Sequence, residues 1–222
     1  MPSWCAVERT VIKQGLRRTR GGAHHEHPVM LFRTFAVYIT LGVMNVTCSK
    51  RDAAVRQLDV AIGLLFTDSE PLAIRTLAGA AYGILADLAE DQQQGSSWRT
   101  KIIEDSGLSE KEAVRILNAA QNYLKHADKD PNSSLSFEEE ENDHLIFVAS
   151  IECGGIGLPL SYSMQAFQIW YLALYPEKIG HDTQPVTKAK EVFPSLSTKE
   201  RHQQLSLGHQ FLERALEHKG LI

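Results

Sequence analysis

The sequence predicts an all-α fold, a bundle of about five to six helices paired as antiparallel hairpins. Three observations carry that prediction: apolar side chains recur at intervals of three and four between positions 51 and 127, capping residues stand at the starts of those stretches, and Gly, Gln, Ser and Pro interrupt them. Apolar residues make up 43% of the 222-residue chain, the ordinary share for a globular protein with one main core.

From Arg51 to Phe66, Ala54, Val55, Leu58, Ala61, Ile62, Leu65 and Phe66 fall on one helical stripe, while Arg51, Asp52, Arg56 and Asp59 stay on the wet side. Thr67 to Glu70 supply capping oxygens, and Pro71 suits a first turn, where its missing N–H costs nothing. A second helix is expected over 71–90, with Leu72, Leu77, Ala81, Ile84, Leu85 and Leu88 inward. Its small residues, Ala78 to Ala81 and Gly83, admit close approach by another helix. Asp91 to Ser97 reads as a loop. Trp98 to Asp105 reads as a short helix that Gly107 ends, and Ser109 with Glu112 has capping-box spacing. One long helix should follow, with Ala113, Leu117, Ala120, Leu124 and Ala127 as its stripe and Ile116 and Tyr123 at the margins.

Beyond Pro131 the four carboxylates Glu138 to Glu141 suit a solvated loop or helix start. Leu145 to Ile151 is too short an apolar run to tell strand from buried helix, and Gly154, Gly155 and Gly157 break it as a simple turn. Neither a GxGxxG fingerprint nor a GKS/GKT ending accompanies those glycines, which argues against a nucleotide site. Ser161 or Ser163 starts an aromatic-rich helix containing Met164, Phe167, Ile169, Trp170, Leu172, Ala173 and Leu174, of the kind found in cores and at partner contacts. Glu177 to Lys190 reads as a linker, and 197–217 as the last helix, capped by Ser197 or Thr198, with Gly220 past its end.

Charge separates an opening segment from the body. Residues 1–43 carry six basic side chains against Glu8 and Glu26, a net +4, so the rest of a chain of net −4 carries −8. The expected organisation is therefore a basic leader or loosely attached extension over 1–43 and a single helical domain over 44–222, with Met30 and Met44 as alternative starts. An acidic body is a poor counterion for a phosphate backbone, which disfavours nucleic acid as a general partner. Arg33 interrupts the apolar run from Val29 to Val46, leaving a stretch too short for stable membrane insertion. His24, His25 and His27 lie in a Gly- and Pro-flanked segment without the spacing of a structural zinc site, so neither metal nor cofactor is expected. Cys5, Cys48 and Cys153 form neither a disulfide framework nor a CxxC pair, which points to a reducing, cytoplasmic setting.

One stretch concentrates chemistry. On a continuous helix, Arg115, Asn118, Asn122 and His126, spaced by three, four and four, share one polar face. His126, at a helix C-terminus and near Asp128 and Asp130, sits where its protonated form is favoured and can act as acid or base, with Asn122, Lys125 and Asp128 assisting. Arg115, Asn118 and Asp130 are the companion ligand-binding candidates. An Asn-x-x-x-His sequence late in a helix of an all-helical body resembles the HEPN superfamily, over about residues 50–130 in pattern and in Asn122 and His126 as motif. The resemblance implies a helical bundle and, for active members, ribonuclease chemistry; other members assist nucleotide transferases. Active members carry an arginine four to six residues before the histidine, whereas here the nearest preceding one, Arg115, lies about 16 Å away along a helix axis. Three functions follow in order: a non-enzymatic interaction or regulatory module that self-associates or takes a protein partner, a ribonuclease or other hydrolase using His126, and a small-molecule or divalent-metal binder.

Overall fold

In a computed structural model the described residues are 45–92, 97–126, 131–180 and 183–220, with only the backbone described at 102, 105, 110, 113, 116 and 117. Residues 48–222 form one compact unit. The histidine cluster, the apolar run up to position 44 and the alternative starts lie outside the described residues.

Every regular element of the described residues is helical. Helix α1, Lys50–Phe66, starts at Ser49, whose hydroxyl accepts from the Asp52 amide while the Asp52 carboxylate accepts from the Ser49 amide. This is a reciprocal capping box that satisfies two otherwise orphaned donors. The buried face of α1 is Ala54, Leu58, Ala61, Ile62, Leu65 and Phe66, as its spacing predicts. Helix α2, Pro71–Asp91, is capped by Glu70, whose carboxylate accepts from the Ala73 amide at 3.0 Å. The four-residue turn folds α2 back along α1 as the expected hairpin. Its buried stripe, however, is Ile74, Ala78, Ala81, Tyr82, Leu85 and Ala86; Leu77, Ile84 and Leu88 pack at its edge and Leu72 is exposed. By length and composition α2 is apolar enough to cross a membrane, and here its inner face builds the core.

Helices α3, Trp98–Ser106, α4, Glu110–Leu117, and α5, Ala119–Lys125, follow. Gly107 ends α3 at φ 65°, a left-handed conformation that glycine adopts without Cβ strain. The long helix expected after Ser109 is interrupted: Asn118 (φ −94°, ψ 0°) leaves the helix and separates α4 from α5. Asparagine, whose short amide competes for local backbone groups, tolerates such a break well. Of the expected stripe, Ala120 is buried and Leu124 half-buried, whereas Ala127 and the side chains of Ala113 and Leu117 lie outside the described residues.

Helix α6, Glu141–Gly155, resolves the strand-or-helix ambiguity at Leu145–Ile151 in favour of helix, and Gly157 at φ 76° turns the chain after it. The acidic run is its lead-in. Helix α7, Tyr162–Leu174, begins at Ser161, whose hydroxyl accepts from the Met164 amide and donates to Asp59 on α1. Its aromatic face is core: Met164, Phe167 and Trp170 are wholly buried. The expected linker is instead α8, Pro176–Ile179, and α9, Gln184–Val192, because Val186, Ala189 and Phe193 form an apolar i, i+3, i+7 stripe that packs on α7. The last helix, α10, Arg201–His218, starts after a short 3-10 turn, Leu196–Thr198, with Glu200 rather than Ser197 or Thr198 as its N-cap. Gly208 lets α10 approach α1 closely, since a Cβ there would run into the Phe66 ring.

Candidate functional site

Helices α6, α7 and α10 bring together a cluster of ionisable side chains that are remote in sequence. Asp143 and His144 lie in the first turn of α6, Tyr171 and Tyr175 at the end of α7, and Arg201 opens α10. Asp143 is wholly buried. The Arg201 Nη1 and Nη2 groups donate to its Oδ2 and Oδ1 at 2.8 and 2.9 Å, and the Tyr175 hydroxyl donates to Oδ2 at 2.7 Å. A two-pronged guanidinium and a phenol thus occupy both carboxylate oxygens, the arrangement that lets a buried charge persist. The guanidinium also stands 5.7 Å from the Trp170 ring centroid, adding a cation–π contact.

Electrostatics follow from burial and pairing. Burial pushes the Asp143 carboxyl above its usual range, against the downward pull of Arg201 and Tyr175. Burial also opposes the charge on Arg201, but the bonds to Asp143 outweigh it and hold the guanidinium more firmly protonated. Burial, reinforced by the Asp143 charge, raises both the Tyr171 and Tyr175 phenols far out of the working range, so each keeps its proton. His144 Nδ1 is hydrogen-bonded to the Tyr171 hydroxyl at 2.9 Å, and its ring meets Tyr171 and Tyr175 edge-on. Burial lowers the His144 pKa below 6.5, helped by Lys178 and opposed chiefly by Asp143.

That depression has a stability consequence. The unfolded chain takes up a proton on His144 near pH 6.5, before the folded chain does, so protons favour unfolding there. Stability to urea should therefore be constant with respect to this group above about pH 7 and fall as the pH drops through 6.5. His144→Gln should flatten that part of the profile, and an unchanged slope between pH 7 and 5.5 would count against the assignment.

Beside this cluster the α1–α2 turn, Glu139, Asn142, Arg201 and Leu205 line a narrow cleft with a cavity volume of about 10 Å³. Asn142, itself buried, donates to the Pro71 carbonyl at 3.1 Å; its Oδ1 and the Arg201 Nε have no protein partner. A cavity of that volume is about the size of one water. A wider open groove, about 410 Å³, lies among Glu90, Arg99, Thr100, Ile103, Glu104 and Val114. Its arginine is committed, with Asp87 at 3.0 Å and Glu90 at 3.2 Å. Near it, buried Glu152 accepts from the Trp98 amide at 2.9 Å, and burial raises its pKa against that hydrogen bond.

The residues singled out from sequence lie elsewhere. Asn118 is half-buried at the break between α4 and α5, so Arg115 does not share a continuous helix with Asn122 and His126. Arg115, Asn122 and Lys125 are exposed, and His126 is half-buried at the end of α5, its amide bonded to the Asn122 carbonyl at 3.0 Å. Asp128 and Asp130 lie outside the described residues. No cluster of three or more His, Cys, Asp or Glu side chains suited to a metal ion occurs among the described residues. Compared with known proteins, the chain matches no family model, no curated sequence and no solved structure.

Asp143, Asn142, Glu152 and Arg201 were not among the sequence candidates, yet a signal for them existed. Positions 143, 146, 147, 150 and 153 lie on one face of α6, so Asp143 stands on an apolar stripe. Arg201 likewise begins the stripe of Leu205, Gly208 and Leu212. A charge on a buried face requires a buried partner.

Proposed function

We propose that the chain is a non-enzymatic helical interaction or regulatory module that self-associates. The observation that supports this reading best is the closure of the Asp143 cluster upon itself: its carboxylate oxygens are taken by Arg201 and Tyr175, and His144 Nδ1 is bonded to Tyr171. Groups committed in this way lock three helices together rather than face a substrate. The adjoining cleft, sized for a single water, agrees with it. Val60, Leu72, Leu108, Ile179 and Val192 supply exposed apolar surface. A kinship with the non-catalytic members of the HEPN superfamily would fit the same role.

Sedimentation velocity across a micromolar concentration series tests the proposal. A mass at least twice the 24.8 kDa of one chain is expected. A mass of one chain at every concentration would overturn self-association, and RNA or phosphoester turnover abolished by His126→Ala would overturn the non-enzymatic reading.

A further inference from the structure

We infer that two copies of this chain associate through the outer face of the α1–α2 hairpin, with Val60 of each α1 seated over Gly63 of the other, a step that rests on the self-association proposed above. Between positions 57 and 67 the only charged residue is Asp59, which accepts a hydrogen bond from Ser161. Between 71 and 86 it is Arg75, which is paired with Glu141 at 3.2 Å. The sides that α1 and α2 turn away from the core therefore carry no unpaired charge over these spans, and exposed Arg56 and Asp87 bound them. Val60 is 52% exposed there, and only 33% of the most apolar stretch of α2 is buried. A contiguous uncharged helix face with charge at its rim is the character of a contact surface.

The helix glycines differ in what stands over them. Gly79 and Gly208 each have an occupant within the chain, the Gln121 amide and the Phe66 ring, whereas a Cβ at Gly63 or Gly83 would meet nothing within 4 Å. Glycine inside a helix is destabilising relative to alanine, and no neighbour among the described residues accounts for these two. Close approach by a helix from outside does. Arg56, Val60, Gly63 and Thr67, spaced four, three and four, lie on one outward stripe of α1. The stripe holds a half-exposed knob and an open seat side by side, so it is its own complement, as a two-fold interface requires. Crossed antiparallel, two such stripes set Val60 against Gly63 and Arg56 against Thr67 in both directions. A parallel crossing would set valine on valine and arginine on arginine. On α2 the small residues Ala80 and Gly83 keep the flank of the crossing low. With a rise of about 1.5 Å per residue and a helix width of about 10 Å, the face covers on the order of 500 Å² on each copy, the size of a weak, reversible interface.

Sedimentation velocity of the full chain, wild type beside two variants, tests the surface. The wild type should dimerise with a dissociation constant of about 1–100 µM. In Gly63→Ala the added methyl meets only solvent in the single chain, so the thermal midpoint, measured where the wild type is monomeric, should equal or exceed that of wild type. The same methyl fills the seat of Val60, so the dimer should weaken at least about tenfold. Val60→Asp drives a carboxylate into that seat and should weaken it at least about 100-fold, with an unchanged far-ultraviolet circular dichroism spectrum. A dimer as tight in Gly63→Ala as in the wild type would overturn this surface, whatever Val60→Asp does, and leave self-association to another face. A wild type that stays a single chain up to about 300 µM would overturn both, and leave the hairpin face to a different protein or to a lipid surface.

Discussion

Arg201→Met should cost about 3–5 kcal/mol of folding stability, because it strands a fully buried carboxylate. In the native protein the Asp143 oxygens receive two bonds from one guanidinium and a third from Tyr175. Methionine has the length of the arginine stem and keeps much of its packing against Trp170, so the loss is electrostatic rather than a cavity effect. Tyr175 alone cannot balance the charge; Asp143 then takes up a proton or the first turn of α10 pulls away. Urea denaturation at pH 7 measures the cost, and an unchanged slope in denaturant would show that the native state is still compact. Asp143→Asn in the Arg201→Met background removes the stranded charge and should recover at least half of the loss. A single variant within about 1 kcal/mol of wild type would mean that water reaches the carboxylate and that the pair does not latch α10 to α6.

How much of this was legible in the sequence differs between elements for physical reasons. In α1 the apolar residues fall mostly on one side, with Val60 the exposed exception, and their spacing includes all six buried residues. In α2 apolar and small residues crowd most positions, so the period is blurred: the spacing puts Leu72 inside, where the structure exposes it, and does not single out the buried Ile74 and Tyr82. The pattern of α9 is faint because lysines and glutamine surround its few apolar residues, although Pro185 in its first turn marks a readable start. The apolar spacing runs through Asn118 without change, so it carries no sign of the interruption there. The expected polar face consequently divides between two helices. The buried cluster shows in the sequence as charged residues that stand where an apolar one is due, Asp143 and Glu152 on α6 and Arg201 on α10. The pairing of Asp143 with Arg201 across 58 positions is fixed only when the helices pack.

Trp170→Ala should be as damaging, at about 3–5 kcal/mol, but by another mechanism. Trp170 is wholly buried where α1, α7 and α10 meet, with its ring edge-on to Phe66 at 5.4 Å and tilted on Phe167 at 5.6 Å. Its indole N–H donates to the Gln204 carbonyl at 2.8 Å. Truncation removes the largest body in the core and leaves a void that the surrounding rings fill only in part, since Phe66 is already held against Gly208. It also takes away the face on which Arg201 rests, so the Asp143 latch loosens with it. Trp170→Phe separates the contributions: most of the volume returns, the indole donor does not, and a cost of about 1–2 kcal/mol is expected. The Gln204 carbonyl keeps its place in the helix ladder, which is why losing the indole bond alone is modest. Combining Trp170→Ala with Arg201→Met should fall short of the sum of the single losses, because each variant weakens a contact that the other also uses. Strict additivity would show that the aromatic core and the ion pair hold α10 independently.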